Sequence, residues 1–229
     1  MSDKDVTQLS AKIEALVYRI RSLPLLLLSV LASYRLTGRM FPLCVKIMDH
    51  RIRFKCFRHK DARVTVQGVI YVMPWLENCT KVVIYLGQGA EFRVDGDLLL
   101  GPNVRILVGG GATLSFGGKF HEPRSGFTEN VIILCLKSIE IGRDFFGSWG
   151  LFITDADHHS YGDSNPPMPV IIGDHVWMCP EASVLKGASV GSDSVITAKS
   201  LVLKGEYPAG SLIGGIPAKK ISNAKEWHL

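Results

Sequence analysis

Close cysteine pairs, long apolar runs and a strong charge excess are all missing from this sequence. Five cysteines, Cys44, Cys56, Cys79, Cys135 and Cys179, are scattered through 229 residues without the paired spacing that grips zinc. The scatter argues against a disulfide framework and fits a reducing cytoplasm, and no cleavable leader is evident. The apolar run from Leu23 to Ala32 carries Pro24 and Ser29 and is too short to span a bilayer. Against 26 Lys and Arg stand 21 Asp and Glu, a net charge of +5. So small an excess suits anionic partners such as nucleotides or acidic glycans and is explained equally well by solvated surface charge; it does not call for a nucleic-acid partner. With 47% hydrophobic residues the chain is globular and long enough for a substantial core.

What is present is a count of six. From Ile172 the apolar positions Met178, Val184, Val190, Ile196 and Val202 follow without a slip. Two residues before each of these five stands Val176, Ala182, Ala188, Ser194 or Ser200, mostly small. Residues two apart share one face of an extended chain. Each hexad therefore sends a small and a large side chain inward, one residue outward, and then turns; a helix would need spacings of three and four. Hexads repeated in this way predict a parallel β-helix, each coil covering the apolar edge of the last. Upstream the phrase is ragged: Leu86 with Ala90, Leu100 with Val104, Val108 with Ala112, and the step Ile141, Gly147, Ile153.

The first 60 residues read as a helical segment and basic connector, residues 61–221 as the β-helix, and 222–229 as a tail. Leu9, Ile13, Leu16, Val17 and Ile20 have helical spacing, and Arg19, Arg21, Arg35 and Arg39 flank the apolar run. A cap packed on the first coil or on a neighbouring subunit accounts for this segment; peripheral membrane contact is the alternative. "DHRIRFKCFRHKDARVTVQG" reads as the connector. Two loops break the rhythm, residues 117–130 and 155–169. The second gathers Asp155, Asp157, His158, His159 and Asp163 just before the most regular coils, and long connections in a compact repeat are often functional.

The order "ITDADHH", a proline-bearing loop, "PVIIGDHVW" and the closing "GSLIGGIPAKKI" resembles the hexapeptide-repeat acyltransferases over roughly residues 84–221. The resemblance implies a mainly β, left-handed parallel β-helix, a homotrimer, and acetyl transfer from acetyl-CoA without a metal. The segment is similar to the branch acting on sugars and polysaccharides, whose catalytic histidine ends an Asp-x-Asp-x-His phrase. His159 then becomes the catalytic base, His158 its rival, Asp157 or Asp155 the orienting carboxylate, and Asp155 and Trp177 residues of the acetyl or acceptor pocket. The same resemblance puts Pro180, Ala198, Leu203, Lys204 and Lys219 against CoA, with the lysines as point charges for phosphate. Cys179 and Pro180 in "WMCPEAS" depart from the family pattern.

The implied activity is O-acetylation of a capsular or other surface polysaccharide at the inner membrane face. N- or O-acetylation of a small sugar, sugar nucleotide or antibiotic is the alternative within the class, and a non-catalytic scaffold subunit the alternative outside it. Zinc carbonic anhydrases share the fold, but their converging histidines are not matched by adjacent His158 and His159 with His121 and His175 far off.

Overall fold

A computed structural model describes residues 23–74, 80–119, 125–159 and 166–228. Their strands form three parallel sheets, the faces of a triangular prism that the chain visits in turn. Face A runs from Val45–Ile47 to Ser211–Gly215, face B from Ile52–Arg58 to Leu201–Val202, and face C from Arg63–Val66 to Gly205–Tyr207. In the regular half Ile172 pairs with Val190, Met178 with Ile196 and Val184 with Val202. Each coil is thus three hexads, one per face.

Every hexad position named from the sequence points inward. Ile172, Met178, Val184, Val190, Ile196 and Val202 are buried, as are Val176, Ala182, Ala188, Ser194 and Ser200. Upstream the interior widens to take Phe92, Phe116, Phe127 and Phe145, with Phe127 and Phe145 ring centroids 5.2 Å apart. The coils there hold more residues: Val45 pairs with Ile70, 25 residues on, and Ile70 with Leu98, 28 on. That is why the count of six blurs there. Corners are turned by left-handed residues, including Asn103, Asn130, Glu181 and Lys199 between faces A and B, a conformation that asparagine tolerates better than most residues.

Both open ends of the prism are closed. A helix over residues 23–37 lies under the first strand of face A. There the Ile47 N–H donates to Ser29 Oγ at 2.9 Å and the Val45 N–H to Ser33 Oγ at 3.0 Å. Two serines one turn apart thus replace the strand that the sheet edge lacks, while Ala32 and Leu36 join the core. At the other end the antiparallel strand Ala218–Asn223 folds back on Ser211–Gly215. Tyr207 crosses this end, its hydroxyl 3.2 Å from Leu203 O and 3.4 Å from Ala218 O.

The first coil begins at Val45, upstream of the boundary at residue 61 expected from the sequence. The stretch read as a basic connector contains the strands Ile52–Arg58 and Arg63–Val66. Ile52 and Phe54 point inward, and the basic impression came from outward Arg53 and Lys55. The helical spacing of residues 9–20 lies outside the described residues, as do 120–124 and 160–165 of the two loops.

Candidate active site

The histidine loop leaves the prism at the corner between faces B and C. It follows the strand Phe152–Thr154 and rejoins at Val170–Ile172. Its two ends are tied, with the Met168 N–H donating to Asp155 O at 2.9 Å.

Asp155 anchors the corner from inside. Its carboxylate is fully buried and accepts the backbone N–H groups of Leu136, Lys137 and Ser138, each at 2.7 Å, while Cys135 Sγ lies 3.6 Å away. Charge-assisted bonds to backbone N–H groups are about twice as strong as neutral ones. These contacts correct the expectation that Asp155 lines the acceptor pocket: with its oxygens saturated by the preceding coil, it holds the loop base and offers nothing to a substrate.

Asp157, His158 and His159 stand exposed on that base. Asp157 pairs with Lys186 Nζ from the next coil at 2.5 Å. His158 has a left-handed backbone, φ +61°, and its Nε2 lies 3.2 Å from Thr154 Oγ1. That hydroxyl is itself 3.0 Å from Ala156 O. If it donates there, His158 carries its proton on Nε2 and presents a free Nδ1. His159 makes no hydrogen bond to the described residues. Lys186 and Thr154 carry no role in the sequence analysis, yet Lys186 stands eighteen residues, one regular coil, before Lys204. Periodicity could have placed both lysines on the histidine corner.

The residues matched to CoA divide between two corners. Pro180 and Ala198 lie in successive turns between faces A and B, linked by the Lys199 N–H donating to Pro180 O at 2.9 Å. Leu203 and Lys204 lie between faces B and C, in the turn above Lys186 and Gly187. Lys219 is exposed on the returning strand. One protomer therefore does not bring all five into one groove.

Trp177 is on face A, half buried, its indole N–H donating to Ser148 Oγ at 3.2 Å. Trp227 of the tail stacks on His175 with centroids 4.3 Å apart and lies 5.9 Å from Trp177. His175 borders an open groove of about 780 Å³ along the corner between faces C and A. Arg93, Ser115, Gly117, Lys119 and Glu140 also line it, and its cations are paired, Arg93 with Asp95 at 3.0 Å and Arg143 with Asp174 at 3.1 Å. Face C separates this groove from the histidine loop.

Burial pushes the Cys179 thiol up to about 11, and burial aided by the Asp155 charge pushes Cys135 up to about 12. Both are neutral thiols at physiological pH and poor nucleophiles. Among the described residues no group of three His, Cys, Asp or Glu could hold a metal ion.

A three-faced hexapeptide β-helix with a histidine-bearing loop at one corner defines a class of acyltransferases. No family model matches the chain. It is 33% identical over 173 residues to WbbJ of Escherichia coli K12, assigned as a lipopolysaccharide biosynthesis O-acetyl transferase, covering 68% of this chain and 85% of WbbJ. Rv3034c of Mycobacterium tuberculosis H37Rv, assigned as an acetyltransferase, is 29% identical over 160 residues, 63% of this chain and 51% of that one, so the match spans about half of Rv3034c. A galactoside acetyltransferase solved in complex with coenzyme A shares the fold, with a TM-score of 0.51 and 21% identity over 58% of this chain and 66% of that chain. The chain belongs to the hexapeptide-repeat sugar O-acetyltransferases, with their left-handed parallel β-helix, and is an O-acetyltransferase.

Proposed function

We propose that the enzyme moves an acetyl group from acetyl-CoA to a sugar hydroxyl of a surface polysaccharide, with His159 as general base. The observation that carries the reading is the stack at one corner: the histidine pair, Asp157 paired with Lys186, and Lys204 one coil further on. A sugar hydroxyl is a weak nucleophile at neutral pH. A neutral imidazole in hydrogen-bond reach takes its proton as the oxygen attacks the thioester carbonyl. The tetrahedral intermediate, its oxyanion held by a backbone N–H of a neighbouring coil, collapses to the acetyl ester and CoA thiolate. The imidazolium returns the proton to that thiolate, so atoms and charge balance without a cysteine intermediate.

His159 is free of described partners and so available to the acceptor. A second reading has its own support: Thr154 orients His158, and a base needs its second nitrogen held.

The active assembly in this reading is a homotrimer working in the cytoplasm. Trp177 and the Pro180 and Ala198 turns lie away from the histidine corner, so a site using all of them needs two chains side by side.

Titration calorimetry with CoA tests the donor half, and sedimentation tests the assembly. Lys204→Ala and Lys219→Ala are each expected to weaken CoA by about five- to tenfold, the loss of one exposed phosphate contact, in a protein that sediments as a trimer. Absence of CoA binding by the parent protein, or full activity in a monomer, contradicts the reading.

A further inference from the structure

The helix over residues 23–37 has two apolar faces, and the prism covers only one. At about 100° per residue, Ser29, Ala32, Ser33 and Leu36 share the covered side. Leu23, Leu27, Leu31 and Tyr34, spaced four, four and three, share the opposite side and are 53%, 65%, 43% and 53% exposed. Because the serines bond the N–H groups of the first strand, and such bonds run along the prism axis, the second stripe points out of the end of the rod. Leu26, 50% exposed, widens it. A helix apolar on both sides is normally enclosed.

The charge is concentrated at the same end. Residues 23–60 carry eight Lys or Arg and a single Asp, whereas residues 61–229 carry fourteen against seventeen Asp and Glu. Arg35, Arg39, Lys46, Arg53 and Lys55 are exposed around the helix, and Arg35 donates to Phe54 O at 3.3 Å, which holds it at the seam between helix and first coil. An apolar stripe rimmed by cations on an otherwise acidic body is the pattern of a helix lying in an anionic lipid interface. A second copy fits this end poorly, because two such rims face to face repel. No helix of the described residues is long and apolar enough to cross a membrane.

We propose that this end of the prism docks on an anionic membrane surface, with Leu23, Leu27, Leu31 and Tyr34 entering the interface and Arg35, Arg39, Lys46, Arg53 and Lys55 meeting the headgroups. In a cyclic trimer with its axis along the prism, three such ends face the same plane, so the docked area triples. The inference is independent of the acetylation chemistry.

Flotation of the full-length protein with vesicles of phosphatidylcholine, with and without phosphatidylglycerol, tests it. Binding is expected with the anionic vesicles and not with the neutral ones, and to fall as salt is raised. Leu27→Gln/Leu31→Gln should weaken it by about tenfold or more, and Arg53→Glu/Lys55→Glu by at least about twentyfold, near fivefold per cation removed. Both pairs are exposed, so the melting temperature should hold; were the leucine variant to misfold, the charge variant decides alone. The proposal is overturned if the parent ignores anionic vesicles, if it binds neutral ones equally, or if the folded variants bind like the parent. It is equally overturned if the leucine variant sediments as a smaller species, because the stripe is then a contact between copies.

Discussion

His159→Ala is expected to lower kcat by about 10²–10⁴, the usual contribution of a positioned general base, while the affinity for acetyl-CoA stays nearly unchanged. The split follows from the chemistry: the imidazole acts on the acceptor proton and not on the nucleotide, so the loss appears in kcat and kcat/KM alike. His158→Ala is expected to cost far less. Steady-state kinetics with acetyl-CoA at saturation read both variants. If His158→Ala is the inactive one, the hydroxyl of Thr154, 3.2 Å from His158 Nε2, is orienting the base, and Thr154→Val should then lower kcat as well. Activity in both variants moves the catalytic centre out of this loop.

Asp155→Ala is expected to cost roughly 3–5 kcal/mol, through the three backbone N–H groups left unpaired in the interior. A chain of this size loses about 2–4 °C of melting temperature per kcal/mol, so a fall of about 10 °C is the visible sign. In a solenoid each coil leans only on its neighbours, and the damage should begin locally. Hydrogen exchange at Leu136, Lys137 and Ser138 should accelerate before the distant coils respond. Asp155→Asn keeps one acceptor oxygen for the two that now hold this corner and should fall between. An Asp155→Ala protein that melts like the parent would mean that the carboxylate is not what holds the loop base.

Residues whose role is repeated along the chain were legible in the sequence. Met178 is inward for the same reason as Val184 and Ile196, and six such positions specify a parallel β-helix without reference to any one contact. The coil at residues 45–66 was hidden because its partner strand stands 25 residues on, Val45 against Ile70, and because its outward arginines outweighed a strand pattern only a few residues long. Asp155 was legible as part of a motif but not as a clamp. Thr154 and Asp155 are both buried, a break in the inward and outward alternation that only the turn of the chain at this corner produces. The pairing of Asp157 with Lys186 joins residues 29 apart, so it appears only once the coils are stacked.

The central claim is acetyl transfer to a sugar hydroxyl, and product analysis tests it most directly. The purified enzyme is incubated with labelled acetyl-CoA and a panel of polysaccharides, oligosaccharides and sugar nucleotides, and the labelled product is treated with mild base and read by NMR. The account predicts label on a glycan as a base-labile ester, absent with His159→Ala; a base-stable amide on an amino sugar, or no glycan label with any acceptor while CoA still binds, would contradict it.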